Sequence, residues 1–178
     1  MLEEYVFAGF GGQGIMTIGQ FIAYAGMIQG YDTAWIPSYG PESRGGTANC
    51  NVVISDDAIG SPHTHRPNGV IVMNAPSFDK FEPAMREGGV LVVNTNLSTQ
   101  KSERTDIRTI YLPCADIALE VGNAIVASIV ALGAFNGLKK VVTDENMEKA
   151  IQWKLPDQRK DLVELNVRAY YAGKKQVE

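Results

Sequence analysis

An apolar run, YVFA (Tyr5–Ala8), leads directly into GFGGQGIMTIGQ (Gly9–Gln20). Tyr5–Gly9 reads as a buried strand that ends in glycines. From Gln13 onward the apolar residues change period. Ile15, Ile18, Ile22 and Ala25 recur at helical spacing, and the helix should stop near Gly30. A strand that turns through glycines into a helix is the opening of a βαβ unit. It therefore predicts a Rossmann-like three-layer α/β fold, a mostly parallel sheet with helices on both faces.

The rest of the chain repeats the alternation. Strands are expected at Asp32–Pro37, Thr47–Ile54, Gly69–Met73, Gly89–Asn94 and Arg108–Leu112. Thr47–Ile54 follows its predecessor with no helix between, so an antiparallel or edge placement is expected for it. Helices are predicted around Ser77–Glu87, Ala115–Glu120, Ala124–Phe135, from Asp144, and over Asp157–Gln176. Ser38–Gly46 (SYGPESRGG) holds too much Gly and Pro for an element interior and reads as a loop. The 178 residues suit one domain, with helices over about 144–177 packing on it or on a partner.

Composition narrows the function classes. A net charge of −4 argues against nucleic acid. Cys50 and Cys114 stand far apart and outside any C-x-x-C, which fits a reducing compartment and offers no iron–sulfur ligand set. The acidic start MLEEYVF lacks the pattern of a signal peptide, and Ala124–Phe135 is too short to span a bilayer. A cytoplasmic protein without membrane contact is expected.

Gly9, Gly11 and Gly14 spell G-x-G-x-x-G. Such a turn lets a ligand approach the backbone, and the helix start offers N–H groups to an anion. A dinucleotide site also needs an acid at the end of the second strand. Asp32 lies at the start of that strand, at the wrong edge of the sheet, so the fingerprint is incomplete. The carboxyl edge collects other polar groups instead: Ser38, Asn74, Asn94 and the loop carrying Arg44, Gly45 and Gly46. A guanidinium flanked by glycines suits a phosphate or carboxylate, or pairs with Glu42. His63 and His65 lack a third metal ligand. Cys114 is either an activated thiol or a small buried hydrophobe. No catalytic acid–base set stands out.

Taken together, GFGGQGIMTIGQ and SYGPESRGGTANCNVVISD resemble the gamma subunit of 2-oxoacid:ferredoxin oxidoreductases, and the form SYGPESRGG is closer to the 2-oxoglutarate branch than to the pyruvate branch. The resemblance covers Tyr5 to about Leu138. It implies a subunit without its own catalytic residues, inactive in isolation, in a complex with alpha, beta and ferredoxin-like subunits that passes electrons to ferredoxin. It assigns no cofactor to this chain; thiamine diphosphate, magnesium, iron–sulfur clusters and coenzyme A belong on or with other subunits. The residues expected to border the coenzyme are Gly11, Gly12, Gln13, Gly14, Ser38, Arg44, Gly45, Gly46 and Asn74. Trp35, Tyr39, Tyr170 and Tyr171 are expected in an exposed docking patch, and a homodimer is one state open to the isolated chain. The competing readings are a free-standing NAD(P)- or nucleotide-binding protein and a scaffold without a ligand.

Overall fold

The computed structural model describes residues 1–40, 47–155 and 159–178. Arg44, Gly45 and Gly46 lie outside the described residues, as does the expected start of the last helix at Asp157. Among the described residues six strands form one sheet in the order β2-β3-β1-β4-β5-β6. The strands are β1 (Leu2–Phe10), β2 (Asp32–Tyr39), β3 (Thr47–Ser55), β4 (Gly69–Val72), β5 (Val90–Asn94) and β6 (Arg108–Leu112). β1, β4, β5 and β6 pair in parallel. β3 runs antiparallel to both β1 and β2, so β2 points the same way as β1.

The antiparallel placement of β3 agrees with expectation, but its position is interior, not at an edge. The sheet ends at β2, where Pro37 has its partner only on one side, as suits a residue without an N–H. β2 also extends further than the sequence indicates. Ser38 pairs with Asn49 and Tyr39 with Ala48, so Ser38 belongs to a strand and not to the loop. β3 supplies backbone partners up to its first residue, and the Gly40 N–H still reaches the Thr47 carbonyl at 2.7 Å.

The two sheet faces are covered unequally. Tyr5, Phe7, Val52, Ile71 and Val92 face the larger core with helices α1 (Ile15–Ile28), α3 (Cys114–Val121), α4 (Ala127–Lys139), α5 (Asp144–Lys154) and α6 (Lys160–Lys175). Val6, Ala8, Val70, Val72, Leu91 and Val93 face a smaller core with α2 (Ala75–Phe81). The alternation of neighbouring residues to opposite cores is the strand period of two. α2 ends well before Glu87, because Pro83 has no N–H to continue it. The predicted helix from Ala124 begins as a 3₁₀ turn, Ala124–Val126, and α4 then runs on to Lys139. Lys140 ends it in the left-handed region at φ 52°.

α4 is buried over Ser128–Asn136, with α6 laid across it. Gly133 and Gly173 allow that crossing: a Cβ on Gly133 would lie 1.9 Å from the Tyr170 carbonyl oxygen, and one on Gly173 1.8 Å from that of Val130. Asn136 bonds the Val142 carbonyl at 3.0 Å and the Tyr170 hydroxyl at 2.7 Å. That hydroxyl in turn donates to Asp144 at 2.7 Å. Tyr170 is thus core and not docking patch, and Trp35 is half-buried beside Gly19 and Cys50. Tyr39 and Tyr171 are exposed.

Candidate functional site

The chain leaves β1 in one direction, through α1 towards β2, while β4, β5 and β6 lie in the other. The carboxyl ends of β1 and β4 therefore form the switch point of the sheet, where open α/β folds bind ligands. The glycine turn sits there. The Gln13 side-chain oxygen accepts the Phe10 N–H at 2.6 Å, and the Gln13 N–H returns to the Phe10 carbonyl at 3.2 Å. Gln13 thus closes the turn on itself. Gly9 is part of the same device, since a Cβ there would lie 2.5 Å from that oxygen.

Gly14 and Gly12 serve different ends. Gly14 has φ 77°, and a Cβ on it would lie 2.5 Å from Ser128 Oγ of α4. It lets two helices start side by side. Gly12 has φ 90°, and a Cβ on it would meet nothing within 4 Å. It presents bare backbone to open space, the property that allows a ligand to come close.

Two clefts of about 300 Å³ each flank the turn and share Gly12. One lies towards the β2–β3 end, bordered by Phe10, Gly11, Met16, Tyr39 and Ala48. The other lies at the switch point, between Gln13, Met73, Asn94, Asn96, Ala115 and Ala127. Four helices begin around this edge. The amides of α3 are met by side chains: Asn94 accepts from the Cys114 N–H at 3.2 Å and Asn96 from the Ala115 N–H at 2.8 Å. α2 is capped by Asn74, whose oxygen takes the Ser77 N–H at 2.9 Å. α1 has no side-chain cap and no acid in its first turn, while α4 runs on from the 3₁₀ turn Ala124–Val126, which Asn123 caps, and likewise has no acid in its first turn. Their starts carry the positive end of the helix dipole towards the glycine turn.

The residues expected at the site therefore divide. Gly11, Gly12, Gln13 and Gly14 come together at the turn. Asn74 stands one residue beyond Met73 and is buried, and its amide nitrogen has no hydrogen-bond partner. Ser38 is not among the residues bordering either cleft. Ser128, Asn96, Leu97 and Ile125 are neighbours that the sequence pattern does not single out. Asn96 had a signal, an Asn-x-Asn pair at a strand end. The others come from segments far along the chain, brought here only by packing.

Both thiols are buried, Cys114 at a helix start and Cys50 under α1, and burial pushes each up to about 12. Cys114 is thus a small hydrophobe and not an activated nucleophile. His63 and His65 are exposed in the 56–68 loop. Among the described residues no three of His, Cys, Asp and Glu lie close enough to hold a metal ion. No described helix is long and apolar enough to cross a membrane.

The NAD fingerprint fails on topology as well as on residue type. The strand beside β1 at this side is antiparallel β3, so β2 is two strands away. Asp32 pairs with Ser55, at the edge opposite the glycine turn.

The pyruvate ferredoxin/flavodoxin oxidoreductase family matches residues 4–176. The chain belongs to this family. As a member of the pyruvate ferredoxin/flavodoxin oxidoreductase family, it has relatives of two lengths. It is 37% identical over 176 residues to the 2-oxoglutarate synthase subunit KorC of Methanocaldococcus jannaschii, covering 97% of this chain and 92% of that one. It is 36% identical over 167 residues to the ketoisovalerate oxidoreductase subunit VorA of Methanothermobacter marburgensis, covering 93% of this chain but 34% of that protein. The chain thus spans about a third of the length of the ketoisovalerate relative. Among solved structures, the gamma subunit of a keto/oxoacid ferredoxin oxidoreductase from Geobacter sulfurreducens matches with a TM-score of 0.84 and 34% identity, covering 98% of both chains. The sheet and its helices are those of this gamma-subunit fold.

Proposed function

We propose that the chain is the gamma-type subunit of a multisubunit 2-oxoacid:ferredoxin oxidoreductase. The complex would work in the cytoplasm and convert 2-oxoglutarate to its acyl-coenzyme A, with electrons passed to ferredoxin. The observation that carries this reading is the near end-to-end match to a subunit of 2-oxoglutarate synthase. The site is consistent with it: a built anion-ready turn, with no acid–base pair among the described residues that border its clefts.

In this reading residues 1–178 act as one domain. Gly11, Gly12, Gln13, Gly14 and Asn74 border coenzyme A, with Ser38 near the end of β2 and Arg44, Gly45 and Gly46 following it in sequence. The bare Gly12 backbone and the uncapped start of α1 suit phosphate oxygens. Iron–sulfur clusters fit poorly here, since both thiols are buried and neutral; they, thiamine diphosphate and magnesium are assigned to companion alpha, beta and ferredoxin-like subunits. The NAD(P) alternative lacks its acid and its neighbouring strand.

The test is an oxygen-free purification of the tagged chain from its native cell. The eluate is assayed for 2-oxoacid- and coenzyme A-dependent reduction of a viologen dye, with 2-oxoglutarate, pyruvate and ketoisovalerate in parallel. The expected result is activity with 2-oxoglutarate and co-eluting thiamine and iron–sulfur subunits. Activity only with another oxoacid would refute the substrate. A lone chain without any such activity would refute the function.

A further inference from the structure

Three strongly exposed apolar side chains come from separate elements near this edge: Leu97 at 52%, Ile125 at 73% and, one turn further along α3, Leu119 at 60% exposure. Leu97 and Ile125 line the switch-point cleft together with Ala115. Leu119 stands one helical turn beyond Ala115, on the side of α3 that also carries exposed Asp116 and Glu120. The ridge is held firmly. The Leu97 N–H donates to the Asn94 carbonyl at 3.3 Å, and the Leu97 carbonyl accepts from Ala75 at 3.1 Å. The Ile125 N–H donates to the Asn123 side chain at 3.0 Å. Large apolar groups gathered at the mouth of one cleft, unlike singly scattered ones, point to a contact surface.

We propose that this ridge is the docking surface for the larger companion chain of the complex. The inference rests on the function proposed above. The occupant is indicated by the relatives. In the ketoisovalerate protein the matching segment is 34% of the chain, so there the domain is joined to a body about twice its size. The 2-oxoglutarate relative is covered over 92% of its length, so any such contact of that subunit forms between polypeptides. The companion's face is apolar opposite Leu97, Leu119 and Ile125, and basic opposite Asp116 and Glu120. Its arrival closes the mouth of the cleft beside Gly12.

The test uses the complex purified through the tagged chain, with Leu119→Asp and Ile125→Asp compared with Met27→Asp. Met27 is also an exposed apolar residue, at 52%, at the far end of α1. Subunits are identified by mass spectrometry, and the melting temperature of each isolated variant is checked against wild type. Leu119→Asp and Ile125→Asp should each lower the recovery of the larger companion at least tenfold without lowering the melting temperature, while Met27→Asp retains it. In addition, Ile125→Cys should react with a maleimide in the isolated chain and at least tenfold more slowly in the complex; the buried native thiols stay silent. Retention of the companion by both aspartate variants, or equal labelling of Ile125→Cys in chain and complex, overturns the docking site alone. Disruption of a homodimer instead of a companion contact overturns it in favour of self-association. A wild-type chain that brings no oxidoreductase subunits overturns the proposed function, and this inference with it.

Discussion

Replacing Gly173 by alanine tests how α6 is held. Propensity alone favours the change, since alanine is better than glycine in a helix interior by about 1 kcal/mol. Packing opposes it. The added Cβ would lie 1.8 Å from the Val130 oxygen, 2.7 Å from its carbonyl carbon and 3.0 Å from its Cα. All three are backbone atoms of α4 and cannot rotate away, so the helices must part by more than about 1 Å to restore ordinary contact distance. Parting them loosens Ala169 and Tyr170, both fully buried, and stretches the bonds from the Tyr170 hydroxyl to Asn136 and Asp144. Overpacking costs about 1–3 kcal/mol, and partial loss of a buried aromatic and its hydrogen bonds adds about 1–2 kcal/mol. After the propensity gain the net destabilisation is about 3 kcal/mol. For a domain of this size that is a fall of about 6–12 °C in melting temperature. Urea unfolding followed by far-UV circular dichroism measures it. Gly26→Ala in α1 is the control, because its Cβ would meet only side-chain carbons, at 3.1 Å or more; it should stay within about 1 kcal/mol of wild type. A Gly173→Ala protein as stable as wild type, or more stable, would refute the close crossing of α4 and α6.

Gly14→Ala should cost more than Gly12→Ala. Both carry the left-handed backbone strain of about 1–2 kcal/mol, but only Gly14 also meets Ser128 Oγ; in Gly14→Ala/Ser128→Ala the nearest atom is left at 3.6 Å, so thermal melts should show that double variant recovering to the level of Gly12→Ala. For the thiols, folded values of about 12 lie above the ordinary value of 9.0. Above pH 9 the unfolded chain releases protons that the folded chain keeps, so their stabilisation is complete below pH 9 and is lost as pH rises towards 12. Each thiol contributes a fall of about 1.4 kcal/mol per pH unit in that window; replacing both by alanine should flatten the urea midpoint between pH 9 and 10.5, and an unchanged slope would show the thiols to be solvated.

Local pattern made the strands and most helices legible. Tyr5–Gly9, Gly69–Met73 and Arg108–Leu112 announce themselves as short apolar or alternating runs between turn residues, and their pairing partners follow from the βαβ order. The glycine turn was legible as a turn, because Gly12 and Gly14 need left-handed φ values that only the backbone sequence has to satisfy. The partners of that turn were not. Ser128 lies more than a hundred residues beyond Gly14, and nothing in its own segment marks it. Exposure was equally hidden. Tyr170 and Tyr171 are adjacent aromatics, yet one closes a buried hydrogen-bonded network and the other bonds Glu148 at the surface. Helical neighbours point about 100° apart, so the pair cannot share one environment.

The position of β3 explains why a familiar-looking fingerprint does not make a dinucleotide site. In a standard βαβ unit the second strand returns beside the first, and its carboxyl end brings an acid next to the glycine turn. Here β3 follows β2 in the chain and inserts antiparallel between β1 and β2. That insertion moves the end of β2 two strand spacings, about 9–10 Å, away from β1. The start of β3 takes its place, with Ala48 and Tyr39 bordering the cleft where a ribose-binding acid would stand. The turn keeps its bare backbone and the uncapped start of α1, features that suit anionic oxygen. Among the described residues bordering that cleft no acid is present to select for a nucleoside. What remains is a surface able to hold phosphates or the polar groups of a partner, and the exposed ridge of Leu97, Leu119 and Ile125 at its mouth indicates that a second polypeptide completes it.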